Sequence, residues 1–201
     1  MKNALIIAVL GICLLCSCAQ QYAEPEISYE NEAEQDKYVI YSLSIEYVYL
    51  RNLLSHNKNP IESIVVIAET NDLGEYWIEN FVEDLDNRDV PEEVIEDWKA
   101  EARSTEPLLR KFDFSYKYFL PTREELDTFD ADNFFGEFYI KYPDSNGLIS
   151  VSRIGYDKAR TTALIHVIHS YGTLGANYYF IVLEKKEGSW GISKRISTTL
   201  S

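Results

Sequence analysis

Cysteine is scarce in this chain and confined to one end. The three cysteines of the 201-residue sequence are Cys13, Cys16 and Cys18, and none follows them. Because disulfides, thiolate nucleophiles and cysteine-based zinc sites all need cysteine side chains, the sequence after residue 18 excludes all three.

Positive charge is also in short supply. Lysine and arginine number 19 against 33 aspartates and glutamates, which gives a formal net charge of −14 at pH 7. Such a surface repels the phosphates of nucleic acids and anionic lipid head groups. We therefore expect no nucleic-acid partner.

The first apolar run is too short to span a bilayer. It covers twelve residues, 4–15, and follows the basic start Met1-Lys2-Asn3, whereas a membrane-spanning helix needs about 20 apolar residues. No later run reaches that length. A basic start and a short apolar core are typical of a secretory signal peptide.

The end of this run is Leu15-Cys16-Ser17-Cys18. These residues resemble the lipobox of bacterial lipoproteins, in which a leucine and two small residues precede an invariant cysteine. The resemblance implies that residues 1–17 are a discarded signal peptide and that Cys18 carries acyl chains such as palmitate. Because several acyl chains anchor a protein firmly, it also implies anchoring to a membrane of the bacterial cell envelope, the outer membrane rather than the inner. The alternative is an ordinary secretory signal, which would release a soluble secreted or periplasmic protein.

The residues after Cys18 are acidic before they become apolar. Residues 22–36 include six acidic residues, one proline and no lysine or arginine, so this stretch cannot bury enough apolar area to offset the loss of chain entropy. We expect residues 18–36 to form a flexible tether. Residues 37–201 are long enough to bury a core and are expected to form a single domain.

Helices are predicted at four places in this domain. Residues 37–54 carry apolar side chains at helical spacing, although part of the stretch also alternates as a strand would. Pro91 and the glutamates after it favour a helix start. Thr122 and Glu125 have the spacing of a capping box, and an apolar face over residues 134–142 predicts a further short helix.

Strand patterns dominate the second half. Residues 63–70 contain the apolar run Ile64-Val65-Val66-Ile67, which predicts a buried strand, and residues 112–120 alternate as a half-buried strand does. Four β-rich runs separated by short turns follow: 148–154, 161–169, 177–185 and 190–197. Because short connections favour antiparallel neighbours, we expect an α+β fold. Its N-terminal helices would pack on one face of a C-terminal antiparallel sheet, a meander of about four strands.

Several short segments of the C-terminal half share a pattern with other bacterial proteins. The segments are SRIGY at 152–156, ALIHV at 163–167, a glycine loop at 172–175, YYF at 178–180 and KEGSW at 186–190. Over residues 112–201 they resemble a family of uncharacterised secreted proteins and lipoproteins. The function of that family is unknown, so the resemblance implies no activity.

Two clusters could bind a metal, and we interpret neither as a metal site. His166 and His169 are three apart on a predicted strand, so their side chains point to opposite faces. The oxygen-rich residues of the second cluster suit calcium chemically, but they do not follow EF-hand spacing and are interpreted as helix caps. These residues are Asp127, Asp130, Asp132, Asn133 and Glu137. We predict no cofactor and no metal.

The 15 tyrosines and 9 phenylalanines are numerous enough to fill a core and to line a ligand site. The candidate binding residues for an apolar or sugar ligand are Tyr116, Tyr118, Tyr178 and His169. No group of residues identifies a catalytic site. The expected function is a non-catalytic binding or structural module of the cell envelope, with an envelope protein or a small ligand as its partner. The alternative is an envelope hydrolase with a carboxylate or histidine site in a sheet pocket.

Overall fold

A seven-stranded sheet organises the fold, in a computed structural model that describes residues 27–55, 62–86 and 88–198. Its strands are β1 Ser63–Val66, β2 Lys117–Phe119, β3 Ser145–Val151, β4 Gly155–Tyr156, β5 Thr162–Gly172, β6 Gly175–Lys186 and β7 Ser189–Thr198. Their order across the sheet is β2-β1-β3-β5-β6-β7, and β4 pairs with β5. Strand β1 is parallel to β2 and β3, whereas the other described pairings are antiparallel.

Five α-helices occur in the described part of the chain. They are α1 Glu32–Ser55, α2 Gly74–Asp86, α3 Glu92–Glu101, α4 Arg123–Leu126 and α5 Phe134–Lys141. The predicted helices over residues 37–54, after Pro91 and over residues 134–142 are confirmed. The predicted capping box is confirmed too, since the Thr122 hydroxyl accepts from the Glu125 backbone N–H and the Glu125 carboxylate accepts from that of Thr122.

The α+β class is confirmed, but the expected one-sided packing and the count of four strands are wrong. Along β5, Ile165 and Val167 belong to the core under α1, whereas Leu164 belongs to the core under α2 and α3. Because β5 and β6 carry apolar side chains on both faces, both faces of the sheet must be covered. Strands β1 and β2, which lie outside the expected meander, pair in parallel because α2 and α3 form the long crossover between them.

The run over residues 112–120 is a strand only at its end, in β2. Three α1 side chains one turn apart accept backbone N–H groups from this region: Tyr38 from Leu109 at 2.7 Å, Ser42 from Asp113 at 3.0 Å and Glu46 from Ser115 at 3.0 Å. Because these N–H groups form hydrogen bonds with α1 side chains, the first half of the run lies along the helix and does not pair with a neighbouring strand. Its alternation still buries one side, since Phe112 and Phe114 pack in the α1 core.

Helix α1 begins at Glu32, within the stretch for which the sequence predicts a tether. Two ion pairs hold its first turns: Lys185–Asp36 at 2.8 Å and Lys111–Glu34 at 2.7 Å. Residues 1–26 lie outside the described residues, and with them Cys18, so the signal peptide and the domain boundaries stay predictions. None of the described helices is both long and apolar enough to cross a membrane.

The sheet face opposite α1 is covered by two separate helical groups. Helices α2 and α3 cover Leu164 and Phe180, while α4 and α5 cover Val65 and Leu148. Between these groups, cross-strand pairs place a strip of side chains on the same face: Ser150, Ile168, Ser170 and Tyr178. This strip is the base of the candidate site.

Candidate functional site

A groove follows this strip between α2 and α5. It consists of two cavities of about 270 Å³ and about 620 Å³, and Tyr178 lines both of them. The smaller cavity lies against α2, and the larger one opens toward α5 and the β5–β6 hairpin. We call the two together the Tyr178 groove.

Helix α2 supplies an aromatic wall to the smaller cavity. Ile78, Phe81 and Leu85 are buried at helical spacing, which turns this side of α2 toward the sheet. Trp77 therefore lies at the edge of the buried face, and its side chain is 43 % exposed. Its ring lies 6.1 Å from that of Phe81 at an interplanar angle of 27°. A ligand in the cavity could reach this indole from solvent.

Tyr178 is held on the floor by strands on both sides. It pairs with Ile168 on β5 and with Thr198 on β7, and its ring centroid lies 6.4 Å from that of Phe81. Because β6 is an interior strand of the sheet, its backbone fixes the direction of this side chain. The floor and one wall of the smaller cavity are therefore rigid and largely aromatic.

Helix α5 and the β5–β6 hairpin enclose the larger cavity. Phe135 of α5 lines it, and the Tyr139 hydroxyl donates to the Tyr171 carbonyl at 3.0 Å, which joins the helix to the hairpin. Leu174 at the hairpin tip is fully exposed. The rest of the lining consists mainly of small residues, so this end of the groove is wide and open.

His166 lies beneath the aromatic wall, on the same face of β5 as Ile168. It is fully buried, with its ring 4.6 Å from that of Phe81 and 4.8 Å from that of Phe180. Neither ring nitrogen has a hydrogen-bond partner among the described residues. Desolvation lowers the pKa of His166 to about 3, so the imidazole is neutral at physiological pH.

The smaller cavity has few polar groups at its rim. The Asn71 amide donates to the Ser150 hydroxyl at 2.8 Å and accepts from the Arg123 guanidinium at 2.8 Å, so its orientation is set from both sides. Asp72 is the only acid among the described residues that line the groove. Aromatic faces with a few fixed polar groups suit an apolar or ring-shaped ligand. Glycoside hydrolysis would instead need two carboxylates across the substrate.

Of the predicted binding residues, His169 is on the opposite face of the sheet. It is buried, and its Nε2 lies 2.6 Å from the Asn146 carbonyl oxygen. Since a carbonyl oxygen only accepts, Nε2 carries the proton, and Nδ1 accepts from the Asn52 amide at 2.8 Å. The same Asn52 accepts from the Tyr179 hydroxyl at 3.0 Å. His169 is therefore part of a buried polar network under α1.

Tyr116 and Tyr118 are also on the α1 side. The Tyr116 ring lies 5.4 Å from that of Tyr49, and the Tyr118 ring lies 5.2 Å from that of Phe114. Both side chains are half-buried at the margin of the α1 core. The structure thus separates the four predicted binding residues and leaves Tyr178 alone in the groove.

In the oxygen-rich cluster before α5, carboxylates accept hydrogen bonds from nearby backbone N–H groups. The Asp130 carboxylate accepts from the Asp132 backbone N–H at 3.0 Å, and the Glu137 carboxylate accepts from that of Asp130 at 3.1 Å. Asp130 thus caps the short 3-10 turn before α5. Among the described residues, no three histidine, cysteine, aspartate or glutamate side chains converge as a metal site requires.

Sequence reasoning missed Trp77 and Phe81, because it predicts no helix at α2. The signal was present, since Ile78, Phe81 and Leu85 recur at spacings of three and four. The many acids of this stretch obscure it. The gap between α2 and α5 determines which of these aromatic side chains a ligand can reach. No local sequence pattern encodes that gap.

No family model, curated protein or solved structure matches the chain. The resemblance of residues 112–201 to secreted proteins therefore stays an expectation. The function must be inferred from the groove and from the chain's own residues.

Proposed function

We propose that this protein is a lipoprotein of the bacterial cell envelope that binds a ring-shaped or apolar ligand in the Tyr178 groove without transforming it. The observation that carries the proposal is the meeting of Trp77, Phe81 and Tyr178 around one small cavity. Aromatic faces bind sugar rings and apolar groups through their large, rigid surfaces. The open shape of the larger cavity suits a ligand that extends beyond a single ring.

A hydrolase is less well supported by the same geometry. His169 uses both ring nitrogens in the buried network. His166 is buried and has a pKa of about 3, far from the range in which a general base works at neutral pH. Asp72, the acid at the rim, accepts from the Gly74 backbone N–H at 2.9 Å.

Fluorescence of Trp77 tests ligand binding directly. Of the three tryptophans, Trp98 and Trp190 are buried, so acrylamide should quench mainly Trp77. We expect an N-acetylglucosamine tetrasaccharide, as a ring ligand, or N-phenyl-1-naphthylamine, as an apolar one, to protect Trp77 from acrylamide in a saturable way. Tyr178→Ala should weaken that binding about tenfold or more, because it removes the aromatic ring that lines both cavities.

Tyr76→Ala is the matched control. Tyr76 precedes Trp77 on α2, is 70 % exposed and does not line the groove. Its substitution should leave binding unchanged. If neither probe protects Trp77, or if Tyr178→Ala binds as tightly as the natural chain, the groove is not the ligand site.

The membrane anchor is proposed from the lipobox resemblance and needs its own test. Cys18→Ser should prevent incorporation of an alkyne-labelled palmitate and move the protein from the membrane fraction to the soluble fraction. Cys16→Ser is the control, since the resemblance assigns no lipid to Cys16, and it should be labelled normally. Labelling of Cys18→Ser at the natural level would contradict the proposal. Separation of inner and outer membranes then tests the expected outer-membrane location.

A further inference from the structure

A second cavity, of about 280 Å³, lies between the start of α1, α3 and β4. It shares no lining residue with the Tyr178 groove. Six of its lining residues are charged, three of each sign: Lys37, Arg153, Arg160, Asp97, Glu101 and Glu106. We call it the Arg160 cleft.

Four of these charges neutralise one another. Arg153 lies 2.7 Å from the Glu101 carboxylate and 4.0 Å from that of Glu106, and Lys37 lies 3.5 Å from Glu106. The Tyr41 hydroxyl donates to Glu106 at 3.1 Å. The four charged side chains form one ion-pair network, and Arg160 and Asp97 are not part of it.

Arg160 has no carboxylate partner within ion-pair distance among the described residues. Its guanidinium lies over the Tyr156 ring, 3.9 Å from the centroid. Its φ is +53°, a left-handed conformation that side chains other than glycine adopt rarely. The turn is held by Asp157, which accepts a hydrogen bond from the Thr161 backbone N–H at 2.6 Å.

Stacking on the Tyr156 ring covers the face of the Arg160 guanidinium and leaves its N–H edge for a ligand.

Asp97 lines the same cleft and contacts the backbone of Tyr156. Its Oδ2 accepts from the Tyr156 backbone N–H at 2.7 Å, and no cation pairs with it among the described residues. The Tyr156 hydroxyl is buried without a hydrogen-bond partner in the described part of the chain. Tyr156 therefore contacts the Arg160 cation through its ring and the Asp97 carboxylate through its backbone N–H. Neither charge has an ion-pair partner among the described residues, and the Tyr156 hydroxyl has no hydrogen-bond partner there.

We propose that the Arg160 cleft binds a small zwitterion of the size of a free amino acid, with the ligand carboxylate on Arg160 and its ammonium group on Asp97. A ligand of one charge would leave the opposite side chain unpaired, whereas a zwitterion pairs both. The cleft lies at the lower limit of ligand-site volumes, which favours a ligand this small. The proposal does not depend on the Tyr178 groove.

Calorimetric titration of the full chain, purified in detergent, tests the charge requirement. We expect saturable binding of glycine or L-alanine. Propionate and ethylamine, which each carry one of the two charges, should bind at least about tenfold more weakly. The dipeptide Ala-Ala, whose charges lie farther apart, should also bind more weakly. The proposal would be overturned if propionate or the dipeptide bound as tightly as the amino acids. It would also be overturned if neither glycine nor L-alanine bound at about 10 mM.

Two variants test the assigned side chains. Arg160→Gly removes the guanidinium, and glycine adopts a φ of +53° freely, so the turn should be kept while amino-acid binding falls at least about tenfold. Asp97→Asn keeps an acceptor for the Tyr156 N–H and removes the charge. It should weaken amino-acid binding similarly and leave propionate binding as it was.

The matched control is Arg110→Ala. Arg110 also lies over a tyrosine ring, that of Tyr118 at 5.6 Å, but outside the cleft, so its loss should leave amino-acid binding unchanged. Unchanged binding in Arg160→Gly, or an equal loss in Arg110→Ala, would overturn the assignment. Tetrasaccharide binding at the Tyr178 groove should be unaffected by all three substitutions.

Discussion

The two buried histidines show how strongly the environment of one residue type can differ within a single strand. His169 has both ring nitrogens in hydrogen bonds, to Asn52 and to Asn146. His166, three residues earlier, is among aromatic rings, and its nitrogens have no partner among the described residues. A buried polar group without a partner costs roughly 1–3 kcal/mol. His166 therefore weakens the fold, whereas the bonds of His169 offset the cost of its burial.

The stability of the protein should depend on pH through His166. Desolvation lowers its pKa from 6.5 to about 3 in the folded state, so between these values the unfolded chain binds more protons than the folded one. Unfolding free energy should therefore fall as pH falls from 6.5 toward 3, by at most about 1.4 kcal/mol per pH unit from this group. Urea titrations between pH 4.5 and 7.5 would measure the slope.

His166→Leu isolates this contribution. Leucine fills a similar volume without polar atoms, so we expect an unfolding free energy at pH 7 that is equal to or about 1 kcal/mol above that of the natural chain. The slope below pH 6.5 should become shallower by the share that His166 contributes. The same slope in both proteins would show that other groups cause the pH dependence.

At the scale of elements, the contact between α3 and β4 depends on a glycine. A Cβ at Gly155 would lie 2.3 Å from the Trp98 backbone nitrogen and 2.4 Å from its Cα. Backbone atoms cannot move aside as a flexible side chain can. The Trp98 indole also donates to the buried Ser152 hydroxyl at 3.0 Å, so any shift of α3 would strain this bond too.

Gly155→Ala should therefore destabilise the protein by about 1–3 kcal/mol, the usual cost of overfilling a packed site. Urea unfolding at constant pH would measure the loss. Gly191→Ala is the control on β7, because a Cβ there meets nothing within 4 Å, and it should change the unfolding free energy by less than about 0.5 kcal/mol. Equal effects of the two substitutions would mean that α3 does not pack this closely on β4.

Elements with a strong local signal were predictable, and those set by distant partners were not. The capping box at Thr122 and the β-rich runs after residue 148 are local patterns, and the structure confirms both. The alternation over residues 112–120 predicts a strand, but in its first half the backbone N–H groups of Asp113 and Ser115 donate to α1 side chains. In the candidate site, Tyr178 is among the residues that the sequence predicts for binding. Trp77 is not, because its position depends on α2, and the many acidic residues of that stretch obscure the helical pattern.

At the scale of the whole molecule, the net charge of −14 should oppose folding through self-repulsion. In each ion pair among the described residues both side chains are in contact with solvent, and such pairs contribute little. Raising NaCl from about 0.05 M to about 0.5 M shortens the Debye length below 10 Å. We expect the unfolding temperature to rise by a few degrees, as measured by circular dichroism. KCl at the same ionic strength should act alike, and a fall in the unfolding temperature would show that ion pairs outweigh repulsion.

The sequence by itself determined the α+β class, most elements of the C-terminal sheet and the expectation of an acidic, cysteine-free domain behind a lipobox-like segment. These properties follow from composition and from periodicity along the chain, which neighbouring residues encode. Only the tertiary structure decided that both faces of the sheet are covered, that Tyr178 and His169 point to opposite faces, and that Arg160 and Asp97 both contact Tyr156. These arrangements join residues far apart in the chain. They depend on strand register and on which side chains fill the space between elements, so no local pattern contains them.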